Sequence, residues 1–217
     1  MLHSVTRALT VLALGAAVSL MPTTARGEVI DRILAVVNRE LITLSDVAAA
    51  IRLGLVSVPQ DASDPTRAVL DTLIDRQLEL GETNRYQPPE PPESQIQARM
   101  AAVRSRFNTP AAFAQALDAS GVSEDQLMLR LREDLRIEAY LNQRFGVSRP
   151  PSDQELIDYY RAHTADFSTA AGARPFAEVR EQIRARLSAL QRASLVADWL
   201  TGLRRRTEIA DLYVSSK

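Results

Sequence analysis

The chain has 217 residues and no cysteine, and its 26 Lys+Arg against 27 Asp+Glu give a formal net charge of −1. The lack of cysteine excludes disulfides, thiolate chemistry, a lipid-modified leader cysteine and cysteine-ligated zinc. The positive charge is almost all arginine interspersed with acids, with no basic block before Arg204, Arg205 and Arg206, which argues against nucleic acid as a partner.

Residues 1–7 are short and carry Arg7, residues 8–21 are almost wholly apolar, and Pro22 and Thr23 interrupt them. Ala25, Arg26 and Gly27 then place small residues at both specificity positions of a signal-peptidase site. The apolar run is about 14 residues against roughly 20 for a spanning helix, so a cleaved export signal is preferred to a retained anchor. Removal of 1–27 starts the mature chain at Glu28, with a formal charge of about −3 and length enough for one or two domains with a real core.

Residues 29–37 are rich in β-branched side chains, Asn38, Arg39 and Glu40 read as a turn, and Leu41 and Ile42 resume the pattern, which predicts a hairpin. Thr43 and Asp46 form a capping-box-like pair for a helix over 44–55. Pro59 marks a loop, after which Asp64 and Pro65 open a helix whose Val69, Leu73, Gln77 and Leu80 share one face, widened by Leu70, Ile74 and Leu78. The prolines of 87–93 suit either a ligand for an aromatic-grooved domain or a stiff connector, and the connector is preferred.

A third helix is predicted over 92–107 with Ile96, Met100, Val103 and Phe107 at helical spacing, and a fourth over 111–119 closed by Gly121. Ser123 and Gln126 cap a fifth, with Leu127, Leu131 and Leu135 on one face, reaching about Phe145. Ser152 and Glu155 cap a sixth, a small-residue stretch occupies 168–174, and a long helix runs over 175–206. Its stripe is Phe176, Val179, Ile183, Leu187, Leu190, Ala197 and Leu200, expected to pack on the helices after the hairpin. Ile209, Leu212 and Val214 suggest a last strand. The fold class is mainly α, a multi-helix core with a small sheet joining the N- and C-terminal ends.

No catalytic constellation is legible. His163, the single histidine of the mature chain, has no glycine-rich serine elbow to serve, and it reads as a solvated helix end. No H-E-x-x-H, P-loop or G-x-G-x-x-G pattern occurs, so no metal and no cofactor are expected. The neighbouring acids Glu124 with Asp125 and Glu133 with Asp134 read as solvated helix faces making i,i+4 ion pairs rather than as a hydrolytic pair.

The run from Glu28 through Val36, Val37 and Asn38 to Ser45, Asp46 and Val47 resembles the opening of mature periplasmic chaperones of the SurA type. The resemblance continues in the leucine-rich helix of 68–82, in 123–145, in the Tyr159, Tyr160, His163 and Phe167 segment, and in 175–209. It departs from the family at 168–174, where one or two parvulin-type prolyl isomerase domains normally sit and where these few residues are too short for a folded domain.

The implied organisation is a signal peptide at 1–27, a SurA-like domain at 28–167, a linker at 168–174, and a closing helix and strand at 175–217 that pack back on the first domain. The implied function is an ATP-independent periplasmic chaperone holding unfolded outer-membrane or secreted polypeptides, without isomerase activity of its own; an accessory subunit for a separate isomerase or assembly machine is the alternative. Met100, Val103, Phe107, Phe113, Met128 and Leu131 are the candidate client contacts, each also readable as core. Because the linker is short, exchange of the long helix in a homodimer is a further expectation.

Overall fold

The computed structural model describes residues 31–146, 149–169 and 172–215; the export signal and the start of the predicted first strand lie outside them. Strands β1 (Ile33–Val37) and β2 (Glu40–Thr43) form the expected hairpin. Its turn puts Asn38 and Arg39 both at positive φ, 50° and 74°, the conformation a two-residue hairpin requires and one more usual for Asn than for Arg. Thr43 then caps α1 (Leu44–Arg52): its hydroxyl accepts from the Asp46 amide at 3.2 Å, and the Asp46 carboxylate accepts from the Thr43 amide at 2.8 Å.

Asp64 caps α2 (Pro65–Tyr86). Then come α3 (Glu93–Arg104), α4 (Pro110–Asp118) and α5 (Glu124–Phe145). After α6 (Asp153–Ala162) a single 3-10 turn leads into two-residue strands β3 (Ser168–Thr169) and β4 (Gly172–Ala173). The chain reverses there and enters α7 (Phe176–Arg206), and β5 (Ile209–Asp211) adds to β1 to complete a sheet of order β2-β1-β5.

The sheet joins the two ends of the chain as predicted. Val36 faces Ala210 across β1 and β5, and the Leu212 amide continues the contact to the Leu34 carbonyl at 2.9 Å. Its inner face, with Leu34, Ala35, Val37 and Ile42, buries against Val69, Leu70 and Ile74 of α2 and Leu203 of α7. At about 25 cal/mol per Å² of apolar surface, each of these leucine, isoleucine and valine side chains contributes about 1.5–3 kcal/mol. A second cluster unites Leu53 with α3, α4 and α5. A third packs Leu156 and Phe167 against Val179 and Ile183.

One expectation changes. The stripe of α7 is not continuously buried: Val179 and Ile183 bury at one end and Leu203 at the other, while Leu190 and Leu195 between them are 52% and 45% exposed. The helix bridges two cores instead of lying along one. The strands β3 and β4 pair within the short 168–174 segment, and Arg180 of α7 reaches Asp153 of α6 at 2.6 Å.

Candidate functional site

The second cluster places all six candidate contacts in one region. Met100 and Val103 project from α3, Phe113 from α4 and Leu131 from α5, and all four are buried together; Phe107, just past α3, and Met128 of α5 are half-buried at the margin. Met128 lies on the α3–α5 seam, where the Gln97 amide approaches its sulfur at 3.8 Å.

Phe107 lies instead beside an open groove of about 710 Å³ at the end of α3 and α4. Thr109 and Pro110 create the groove's corner: the Thr109 hydroxyl accepts from the Ala112 amide at 3.1 Å and starts α4 with a proline in its first turn. The floor is apolar, with Phe107, Phe113 and Leu117, and the two phenyl rings lie 5.5 Å apart at 58°. The rim is charged. Arg104 lies over the Phe113 ring, 5.6 Å from its centroid, and pairs with Glu124 of α5. Arg106 turns away from this rim and donates to the Leu53 carbonyl at 3.3 Å.

The groove offers aromatic surface, a cation and a few polar groups, Ser105, Asn108, Thr109 and the Arg104-paired Glu124, which is the make-up of a binding cleft. Among the described residues no cluster of three or more His, Asp or Glu side chains suits a metal ion. His163 is exposed at the end of α6, with Nδ1 2.9 Å from the Tyr159 carbonyl and its ring stacked on that tyrosine at 4.0 Å.

The acids of α5 differ from expectation. Glu133 and Asp134 do not pair along their own helix; both are held by Arg76 of α2, at 2.8 and 2.6 Å, and Glu124 is held by α3 through Arg104. Helix spacing reports only same-helix neighbours, whereas α2 and α5 pack face to face and their charges meet across the contact. The same contact holds Glu79, whose carboxyl is pushed up to about 7, first by burial and then by the nearby Asp75 charge.

The sheet-closed helical core and its apolar groove define a mainly α protein of seven helices and a small antiparallel sheet among the described residues. No family model matches the chain. It is similar to the chaperone SurA of Bordetella pertussis and that of Bordetella bronchiseptica, each 30% identical over 135 residues. Those matches take in 58% of this chain and 26% of the relatives, so the chain spans about a quarter of the length of the curated proteins it matches. In fold it is similar to a solved chain described with PEB4 and Cj1289, two structurally related SurA-like chaperones of Campylobacter jejuni. That similarity has a TM-score of 0.51 and 12% identity, covering 84% of this chain and all of the other. The chain is therefore SurA-like, in sequence over part of its length and in fold over most of it.

Proposed function

We propose that the protein is a periplasmic, ATP-independent chaperone that holds unfolded outer-membrane or secreted polypeptides and has no prolyl isomerase activity of its own. The observation that carries this reading is the apolar groove of about 710 Å³ floored by Phe107 and Phe113 in a SurA-like fold. Of the six candidate contacts, Phe107 and Phe113 line it, and Met100, Val103 and Leu131 support it from beneath. Extended segments with apolar or aromatic side chains suit an open groove of this kind, and release needs no nucleotide when the contacts are few. No helix among the described residues is long and apolar enough to cross a membrane. Between α6 and α7 lie only thirteen residues, the described ones forming a 3-10 turn and the paired strands β3 and β4, which supports the reading that no isomerase domain is inserted there.

The test is suppression of aggregation of a denatured outer-membrane protein by the mature chain. Phe107→Ser should weaken suppression about tenfold or more while leaving the thermal midpoint nearly unchanged, because the side chain is only half-buried. Met100→Leu, a volume-conserving change beneath the groove, should leave both intact. Equal suppression by Phe107→Ser and the parent would remove the groove from the reading, and acceleration of a proline-limited refolding reaction by the parent would overturn the non-enzymatic part.

A further inference from the structure

The contact between α2 and α5 contains two groups that each lack what the other supplies. Glu79 on α2 and Arg130 on α5 line one cavity of about 340 Å³, walled also by Leu55, Val56 and Ile137. The neighbouring guanidinium is already committed, since Arg76 holds Glu133 and Asp134 together. Asp75, the next acid along α2, is committed to Arg204 of α7 at 2.7 Å. Arg130 differs from both: its Nε is buried without a hydrogen-bond partner among the described residues. Asp46 of α1 and Glu133 and Asp134 of α5 are the acids whose field reaches it, while Arg76 opposes it.

We propose that the α2–α5 contact is a proton-operated latch, in which loss of the Glu79 proton turns Glu79 and Arg130 from separate groups facing one cavity into an ion pair closed across it. With the proton in place Glu79 is neutral and tolerates Asp75 and Asp134 beside it, although the charge of Arg76 draws it part of the way back toward the ionised form. Without it, a further carboxylate joins a group whose two ordered cations are saturated, and Arg130 is the cation left to answer it. The long arginine side chain and the open cavity allow the movement without repacking of the apolar clusters. The raised titration of Glu79, to about 7, places the change near neutral pH. The latch joins the cluster that carries the sheet to the cluster that carries the groove, so it sets the angle between α2 and α5. It stands whatever ligand the groove takes.

The absence of cysteine makes the test direct. In the full mature chain, Arg85→Cys on α2 and Asp125→Cys on α5, both exposed and on opposite sides of the helix crossing, carry a pair of spin labels. The label-to-label distance should shift by about 1–2 Å, the scale of ordinary helix shifts at interfaces, between pH 6 and pH 8. The shift should vanish in Glu79→Gln and in Arg130→Gln. Carbon-13 titration of the glutamate carboxyls should show one midpoint near 7 in the parent, none there in Glu79→Gln, and a midpoint moved upward in Arg130→Gln, which has lost the answering cation. Identical distance distributions at the two pH values in the parent, or a downward or unchanged midpoint in Arg130→Gln, would overturn the latch.

Discussion

Asp64 ends one element and fastens another with the same carboxylate. It accepts from the Arg67 amide at 3.0 Å as the cap of α2, from the Tyr213 hydroxyl at 3.0 and 2.9 Å, and from the Ser215 hydroxyl at 2.7 Å. These bonds hold the carboxyl below the usual carboxylate range, the Arg67 amide most and Ser215 next, against the opposing effect of burial. A depressed carboxyl binds fewer protons folded than unfolded, so its contribution is complete above the ordinary value of about 4 and is lost as pH falls through the folded value. Asp64→Asn keeps a good helix cap but loses the charge. Its thermal midpoint should lie below that of the parent at pH 7, and the two should converge as pH is lowered toward 2 in a series of melting curves. A constant gap across that range would show that the charge of Asp64 does nothing for the fold.

At the scale of elements, α7 is two half-helices with different duties. Its first half exists to hold α6: Val179 and Ile183 close on Leu156 and Phe167, and the Tyr160 hydroxyl donates to the Arg174 carbonyl at 2.7 Å. Its second half reaches the sheet core through Leu203 and ties to α2 through Arg204 and Asp75, and Trp199 lies between Tyr140 and Phe145 of α5 with the ring planes tilted by 51° and 58°. Truncating a buried Ile to Ala costs about 2–5 kcal/mol, and here the loss should be local. Ile183→Ala should speed amide exchange throughout α6 by a factor of about 30 or more while leaving α2 almost unchanged, whereas Leu190→Ala, at 52% exposure, should alter stability by no more than about 0.5 kcal/mol.

Helix starts were legible because their signals are local: Thr43 with Asp46, Ser123 with Gln126 and Ser152 with Glu155 close as capping boxes within four residues, whereas α1 and α3 stop three residues short of the expected 55 and 107. The uneven burial of α7 was not, since periodicity marks a face without saying what covers it. Likewise the spacing of Met100 and Val103 could not separate a groove lining from a core, and only the corner at Pro110 leaves Phe107 at an opening. The pairing of Arg76 with Glu133 and Asp134 depends on the crossing of α2 and α5, which no single-helix pattern encodes.

At the scale of the molecule, the described chain is closed by its two ends, and the last residues hold the first. β5 pairs with β1, the Asn38 amide donates to the Glu208 carbonyl at 3.0 Å, Arg67 bridges Asp71 and Asp211 at 2.5 Å each, and Tyr213 reaches Asp64. None of these bonds is strong alone, and the exposed ion pairs add little. Together they cover one edge of β1 and one side of the apolar core under Leu34 and Val37, and a two-stranded hairpin left by itself is marginal in water. A chain ending at Arg206 should therefore lose more than the sum of its exposed contacts. Its thermal midpoint should fall by about 10 °C or more, several kcal/mol for a chain of this size, and amides of β1 should lose protection before those of α5. A synthetic peptide of residues 207–217 added in excess should restore part of the midpoint, rising with the logarithm of its concentration, because it binds the folded form only. Retention of the parent's midpoint in the shortened chain would show that the hairpin and α2 are sufficient, and that the sheet's third strand decorates a core already complete.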